Sequence, residues 1–317
     1  MKDFNNLFIT RTDLIDEKEE YLREKDSGNI RGILVREENI RGFQVQFMEV
    51  TDHHGEEISG KRIGKYITVD VGKIWSQDKK RFCDACFVIS ELIKSFIPDK
   101  NSSCMLAALG NKNIIADAIG PITAENYIVT SHIKKLRPDM FCELGMRETY
   151  CICPGVLGST GIEAAQIIKG VSEYAKDCFV VAVDSLACRR LSRLATTVQI
   201  CDTGITPGSG INNARREISQ KTLGVPVIAI GVPTVVDVTT LASDIVKSTA
   251  ERVKNEKYNC SAEKIINEIA SMEAENFFVT PKETDHIIKD ISKLIGFSLN
   301  LALHENLSFD EIDEFLS

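Results

Sequence analysis

The feature that most constrains this chain is a change of grammar near residue 102. Beyond it, short and nearly continuous apolar runs alternate with stretches whose apolar residues recur at helical spacing. The runs lie at 103–109, 149–153, 178–183, 198–201 and 225–231. Runs of this length without polar alternation read as strands buried on both faces. The helical stretches between and after them fall at about 119–136, 161–175, 239–256, 262–273 and 281–303. This pattern predicts an α/β fold with a mostly parallel sheet covered by helices.

The first part of the chain reads differently. Residues 1–29 are polar and charged and predict a loosely packed arm. In GILVRE, FQVQFMEVT and RIGKYITVDVG apolar and polar residues alternate, which predicts antiparallel strands over 30–75, with His53-His54-Gly55 as a turn. These strands either extend the main sheet or form a small β subdomain. A helix over 76–97 is stopped by Pro98.

Charge and composition narrow the function classes. The 317 residues hold 38 Lys+Arg against 46 Asp+Glu, a net charge of -8, where a nucleic-acid binder usually carries a basic face. No apolar run approaches the ~18 residues of a membrane span, and the N-terminus lacks a signal-peptide core. The ten cysteines are scattered through apolar segments, as reduced cytosolic thiols are. The lone Cys83-x-x-Cys86 pair sits in a helical pattern without a second pair, so zinc is not expected.

Open parallel sheets bind ligands outside the carboxyl ends of their strands. Four acids meet that condition: Asp117, Asp184, Asp202 and Asp237. Two facing carboxylates can share a proton, one acting as base toward water and the other as acid toward the leaving group. The same residues also suit helix capping and loop closure. The glycine-rich stretch 154–163 joins a strand to a helix. Its Gly155, Gly158 and Gly161 allow close backbone approach for an oxyanion, and Thr160 with Glu163 fits a capping box. Neither this loop nor 202–213 matches a nucleotide-binding motif. There is no HExxH and no GxSxG, and Cys188 and Cys201 have no evident histidine partner.

At these loops the sequence resembles a known family. PGVLGSTGIE, the block 180–219, TLGVPVIAIGVPTVVD and VTPKE are similar to the germination proteases of spore-forming Firmicutes; RTDL, VGKIW and ALGNKNIIADAIGP fit the same family in order. The resemblance implies an atypical aspartic endopeptidase that begins the degradation of small acid-soluble spore proteins during germination. It implies a fold similar to the hydrogenase-maturation endopeptidases, a homotetramer, and a place in the forespore or spore core, with no direct nucleic-acid or membrane partner. The family's two aspartates carry over to Asp117 and Asp184, leaving Asp202 and Asp237 as weaker candidates. The family is made as a zymogen cleaved between an acid and an apolar residue. That bond carries over to Asp13–Leu14, making 1–13 a propeptide and 14–317 a single peptidase domain, although Ile15 stands where the family prefers Ala. Hydrogenase-maturation relatives bind a metal through acids and a histidine. Asp117 and Asp184 match two such ligands, but no histidine stands at a corresponding strand end, so neither metal nor other cofactor is expected. The competing readings are a metal-dependent maturation-type peptidase and a spore protein that binds without turnover.

Overall fold

The computed structural model describes residues 12–17, 31–175, 177–209, 215–253, 265 and 277–316. Among these, nine strands form one sheet. Strands β1 (Ile33–Ile40), β2 (Phe43–Val50) and β3 (Gly64–Asp70) make an antiparallel meander. A two-residue loop joins β1 to β2. Arg41 and Gly42 there both have positive φ, the geometry whose twist matches a hairpin. The strands β4 (Ser103–Ala108), β5 (Thr149–Ile152), β6 (Cys178–Cys188), β7 (Thr197–Cys201), β8 (Val227–Asp237) and β9 (Phe278–Val279) follow. The order across the sheet is β1-β2-β3-β7-β8-β6-β4-β5, with β9 against β8. Because β3 pairs with β7, the early strands extend the main sheet.

The sheet is mixed, which corrects the mostly parallel expectation. Only the block β5-β4-β6-β8 is parallel; β7 runs against both β3 and β8. Residues 189–196 between β6 and β7 are too few for the crossover helix that a parallel return needs. The sequence does not betray this, because β7 is buried at every residue and reads like a parallel core strand.

Period-two alternation divides the parallel strands between two cores. Cys104, Leu106 and Ala108 of β4 join Val181, Ile230 and the helices α2 (Lys79–Lys94) and α10 (Thr284–Leu303) on one face. Met105 and Ala107 meet Val180, Ala182 and Ile168 of α7 (Ala164–Tyr174) on the other. Buried side chains surround most of α10, including Ile288, Ile291, Ile295 and Phe297, so it acts as a core element rather than a surface helix. Phe297 meets Phe82 and Phe309 at ring-centroid distances of 6.3 and 4.9 Å.

Several local expectations change. His53-His54-Gly55 is not a turn but opens α1 (His53–Ser59), capped by Asp52 accepting from Gly55 N at 2.8 Å and ended by left-handed Gly60. The helix expected over 119–136 breaks into α3 (Ile119–Glu125) and α4 (Ser131–Leu136), followed by α5 (Pro138–Glu143). Polar bonds to neighbouring elements draw the intervening residues out of helix. Ile128 N donates to Asn300 Oδ1 at 3.0 Å, and Thr130 N donates to Thr149 Oγ1 at 3.0 Å. The Thr160–Glu163 capping box does not form. Thr160 lies in its own turn, α6 (Leu157–Thr160), and its hydroxyl accepts from Ile162 N at 3.2 Å; Glu163 is itself the N-cap residue of α7. Two further helices, α8 (Gln220–Leu223) and α9 (Val238–Val253), flank β8, and α11 (Phe309–Phe315) closes the described chain. The helix expected over 262–273 lies outside the described residues, apart from residue 265.

The expected loose arm is packed where it is described. Leu14, Ile15, Asp16 and Glu17 are all buried. Leu14 packs with Leu186, Cys188 and Val236, and Ile15 with Val50, Tyr66 and Ala229.

Removing the ring shared by the aromatic cluster should leave a cavity at the α2–α10–α11 junction. Phe297→Ala is expected to destabilise the fold by about 3–5 kcal/mol, as read from urea unfolding followed by circular dichroism.

Candidate active site

The parallel register fixes the site. Ala107 and Ala108 of β4 sit beside Ala182 and Val183 of β6, and Leu109 N donates to Val183 O at 2.9 Å. The next residue of β6 is Asp184, paired on its other side with Gly231 of β8. Beyond β4 the chain turns sharply. Gly110 has φ +106, and a Cβ there would lie 2.0 Å from the Asp117 carbonyl oxygen. Asn111 N donates to that oxygen at 2.8 Å, closing a turn that ends in a short 3-10 helix at Ile115–Asp117. Glycine is therefore required at 110 by both sterics and φ. Asp117 and Asp184 line one cleft of about 460 Å³.

Electrostatics separate the two acids. Asp184 is 4% exposed. Burial raises its carboxyl well above the usual range, the nearby Asp117 and Asp13 charges add to the rise, and the Ser185 backbone N–H opposes it. Asp117 is half-buried, and burial pushes it up to about 6 against a hydrogen bond from Asn111. Burial therefore favours the protonated form at both positions, and Asp184 is the more deeply buried of the two.

A third acid reaches the same cleft. The β6–β8 ladder shifts register between Leu186 and Ala187, which frees the Ala187 backbone to turn toward residues 12–17. Asp13 N donates to Ala187 O at 2.9 Å, and Ala187 N donates to Asp13 Oδ2 at 2.9 Å. Ser209 Oγ donates to Asp13 Oδ1 at 2.7 Å, and Lys61 Nζ donates to the Asp13 carbonyl at 2.5 Å. Further along, Glu17 accepts from Arg189 N and Arg190 N at 2.7 and 2.8 Å, and Ile15 N donates to Gln199 Oε1 at 2.9 Å. Leu14 is fully buried, so the Asp13–Leu14 bond lies across the end of β6 rather than on an exposed arm.

The other candidates fall elsewhere. Asp202 follows an antiparallel strand, accepts from Lys65 N at 2.8 Å, and does not line the cleft of Asp117 and Asp184. Asp237 is buried at the start of α9, where Oδ1 accepts from Thr240 N at 2.8 Å and from Thr240 Oγ1 at 3.0 Å, as a helix cap does. Gly155 and Gly158 line the wall opposite β6, with Gly155 at φ +70; Thr160 and Gly161 do not line the cleft. Among the described residues, His, Cys, Asp and Glu side chains form no group of three or more that could hold a metal ion. Sequence reasoning missed Lys61, Ala187 and Ser209. Ala187 and Ser209 lie in the block 180–219 that carries the resemblance, but nothing local marks them or Lys61, and tertiary packing brings all three to residue 13.

Comparison with known proteins is consistent along the chain. A family model described as germination protease matches residues 9–259 and 253–316. The chain is 36% identical to the germination protease of Bacillus subtilis, over 96% of this chain and 95% of that one. It is 39% identical to that of Caldanaerobacter subterraneus, over 96% and 98%, and 36% identical to that of Clostridium acetobutylicum, over 97% and 99%. With Asp184 of β6 and Asp117 of the turn after β4 in one cleft and similarity running nearly end to end, this chain belongs to the germination protease family and is a peptidase.

Proposed function

We propose that the chain is an endopeptidase of the aspartic type that opens the degradation of small acid-soluble spore proteins during germination. In this reading it works as a homotetramer in the forespore or spore core, cleaves after Glu or Asp and before an apolar residue, and is made as a zymogen whose residues 1–13 are removed at Asp13–Leu14. The parallel block β5-β4-β6-β8, with Asp184 on β6 and Asp117 in the turn after β4, supports the expected likeness to hydrogenase-maturation endopeptidases. One observation carries the proposal. Asp117 and Asp184 line a single cleft, burial raises both carboxyls, and the residue-13 segment lies across the same cleft.

The chemistry follows from the unequal burial. Ionised Asp117 takes a proton from water as the water oxygen bonds to the scissile carbonyl carbon. Protonated Asp184 gives its proton to the departing nitrogen as the carbon–nitrogen bond breaks, yielding an acid and an amine. Gly155 and Gly158, set among Val156, Leu157 and Ala164, leave gaps in the facing wall where a peptide backbone could approach closely. The direct test is intact-mass analysis of a small acid-soluble spore protein incubated with the enzyme, with and without EDTA. Cleavage after an acid, indifferent to EDTA, is the expected result. Cleavage lost with EDTA points to a metal-dependent peptidase, and an uncut substrate at unchanged mass points to a binder.

Two outcomes follow from the carboxyl pair. Because Asp117 must be ionised, the rate should fall about tenfold per pH unit below about 6, as seen in a pH–rate profile. Asp184→Asn should lower the rate at least about a hundredfold while leaving the fold intact. The same change should raise thermal stability at pH 7. A carboxyl whose folded pKa lies above its unfolded value loses stability as pH rises through the unfolded value, so removing it relieves that loss. The difference in Tm from wild type should shrink as pH falls toward about 4.

A further inference from the structure

The contacts made by Asp13 describe a seat for one peptide residue. The Ala187 C=O accepts from the Asp13 backbone N–H as one strand accepts from another, which fixes the register of an extended chain. On the side-chain end both contacts are donors. The Ala187 N–H meets Oδ2 and the Ser209 hydroxyl meets Oδ1. An apolar side chain placed there would leave the Ala187 N–H unpaired, whereas a carboxylate satisfies both donors. On the backbone side, Lys61 Nζ reaches the carbonyl oxygen of the same residue at 2.5 Å.

Local structure holds the two side chains in place. Lys61 follows Gly60, the left-handed cap of α1, and its backbone N–H donates to the buried Ser59 hydroxyl at 3.1 Å. Ser209 lies four residues after Ile205, which exchanges backbone bonds with Ile218 at 2.9 and 2.8 Å, and its own N–H donates to Thr206 O at 3.3 Å. Asp13 lines both the cleft of Asp117 and Asp184 and the adjoining cavity of about 420 Å³ that Lys61 and Ser209 line. The residue held between the two is thus the one whose carbonyl meets a cationic donor at the edge of the acid pair's cleft.

The geometry points to Ser209 as the residue that selects a carboxylate side chain in an extended peptide, and to Lys61 as a catalytic residue that holds the carbonyl oxygen of that acid. This inference rests on the reading that the cleft hydrolyses peptides. As water adds to the carbonyl carbon, negative charge builds on the oxygen that Lys61 contacts, so the contact strengthens in the transition state. The lysine neither takes nor gives a proton in the net reaction, which remains water plus peptide giving acid plus amine.

The full chain supplies its own substrate for the test. Self-cleavage after residue 13 is followed by intact mass in wild type, Ser209→Ala, Ser209→Thr, Lys61→Met and Lys61→Arg, each with and without Asp13→Leu; thermal melting checks the fold of every variant. Ser209→Ala is expected to slow cleavage about tenfold when Asp13 is present, and by less than about twofold once Asp13→Leu has removed the carboxylate. Ser209→Thr keeps the hydroxyl and most of the rate. Lys61→Met is expected to slow both backgrounds about a hundredfold, because it acts on the carbonyl and not the side chain, with partial recovery in Lys61→Arg. Equal slowing by Ser209→Ala in both backgrounds overturns the selecting role, and an unchanged rate in Lys61→Met overturns the catalytic one. A wild-type chain that stays whole at residue 13 while cutting an added spore protein overturns the inference alone. A chain that cuts neither overturns the peptidase mechanism beneath it.

Discussion

The site depends on burying a carboxyl group at the centre of the sheet. Asp184 continues β6, with β8 paired on one side and the end of β4 on the other, where water cannot solvate its charge. That position disfavours the ionised form and destabilises the folded chain at neutral pH. Two hydrophobic cores, one on each face of the sheet, hold it there. Two carboxyls buried in one cleft meet the condition under which a pair of acids can share a proton.

The mixed sheet divides labour between its two halves. In the parallel block the turn after β4 brings Asp117 to the cleft that Asp184 of β6 lines. The antiparallel half contributes no acid to that pair. It brings α1 and the loop after β7 to the cleft's edge, and with them Lys61 and Ser209. The residue-13 segment spans the two. Leu14 enters a core with β6 and β8, Ile15 enters another with β2 and β3, and Asp13 lies in the cleft. A loose terminus is the usual place for proteolytic nicking, yet the Asp13–Leu14 bond lies in a packed segment. The paired bonds between Asp13 and Ala187 hold that segment alongside β6 at the cleft.

Some of this is legible in the residues alone. The apolar runs locate β4, β5, β6, β7 and β8, because complete burial demands continuous apolar sequence. Expected position at a strand end picks out Asp117 and Asp184 without any appeal to a family, although β6 runs on past Asp184 to Cys188 and Asp117 lies in the 3-10 helix after β4. The same criterion also picks Asp202 and Asp237. Their surroundings differ from those of Asp117 and Asp184: β7, which Asp202 follows, is antiparallel, and the Asp237 carboxylate caps a helix. The capping box at Thr160 fails for a related reason. A local pattern states what a segment could bond to, while neighbouring chain decides what it does bond to.

The sequence by itself determined the layers, the buried strands and the two candidate carboxyls, because burial and period are written in the order of apolar and polar residues. Only the tertiary structure decided strand direction, the break in the helix after residue 125, and the meeting of Lys61, Ala187 and Ser209 around Asp13. The last two rest on hydrogen bonds between residues 48 to 196 positions apart, and no local order of apolar and polar residues encodes a partner at that separation.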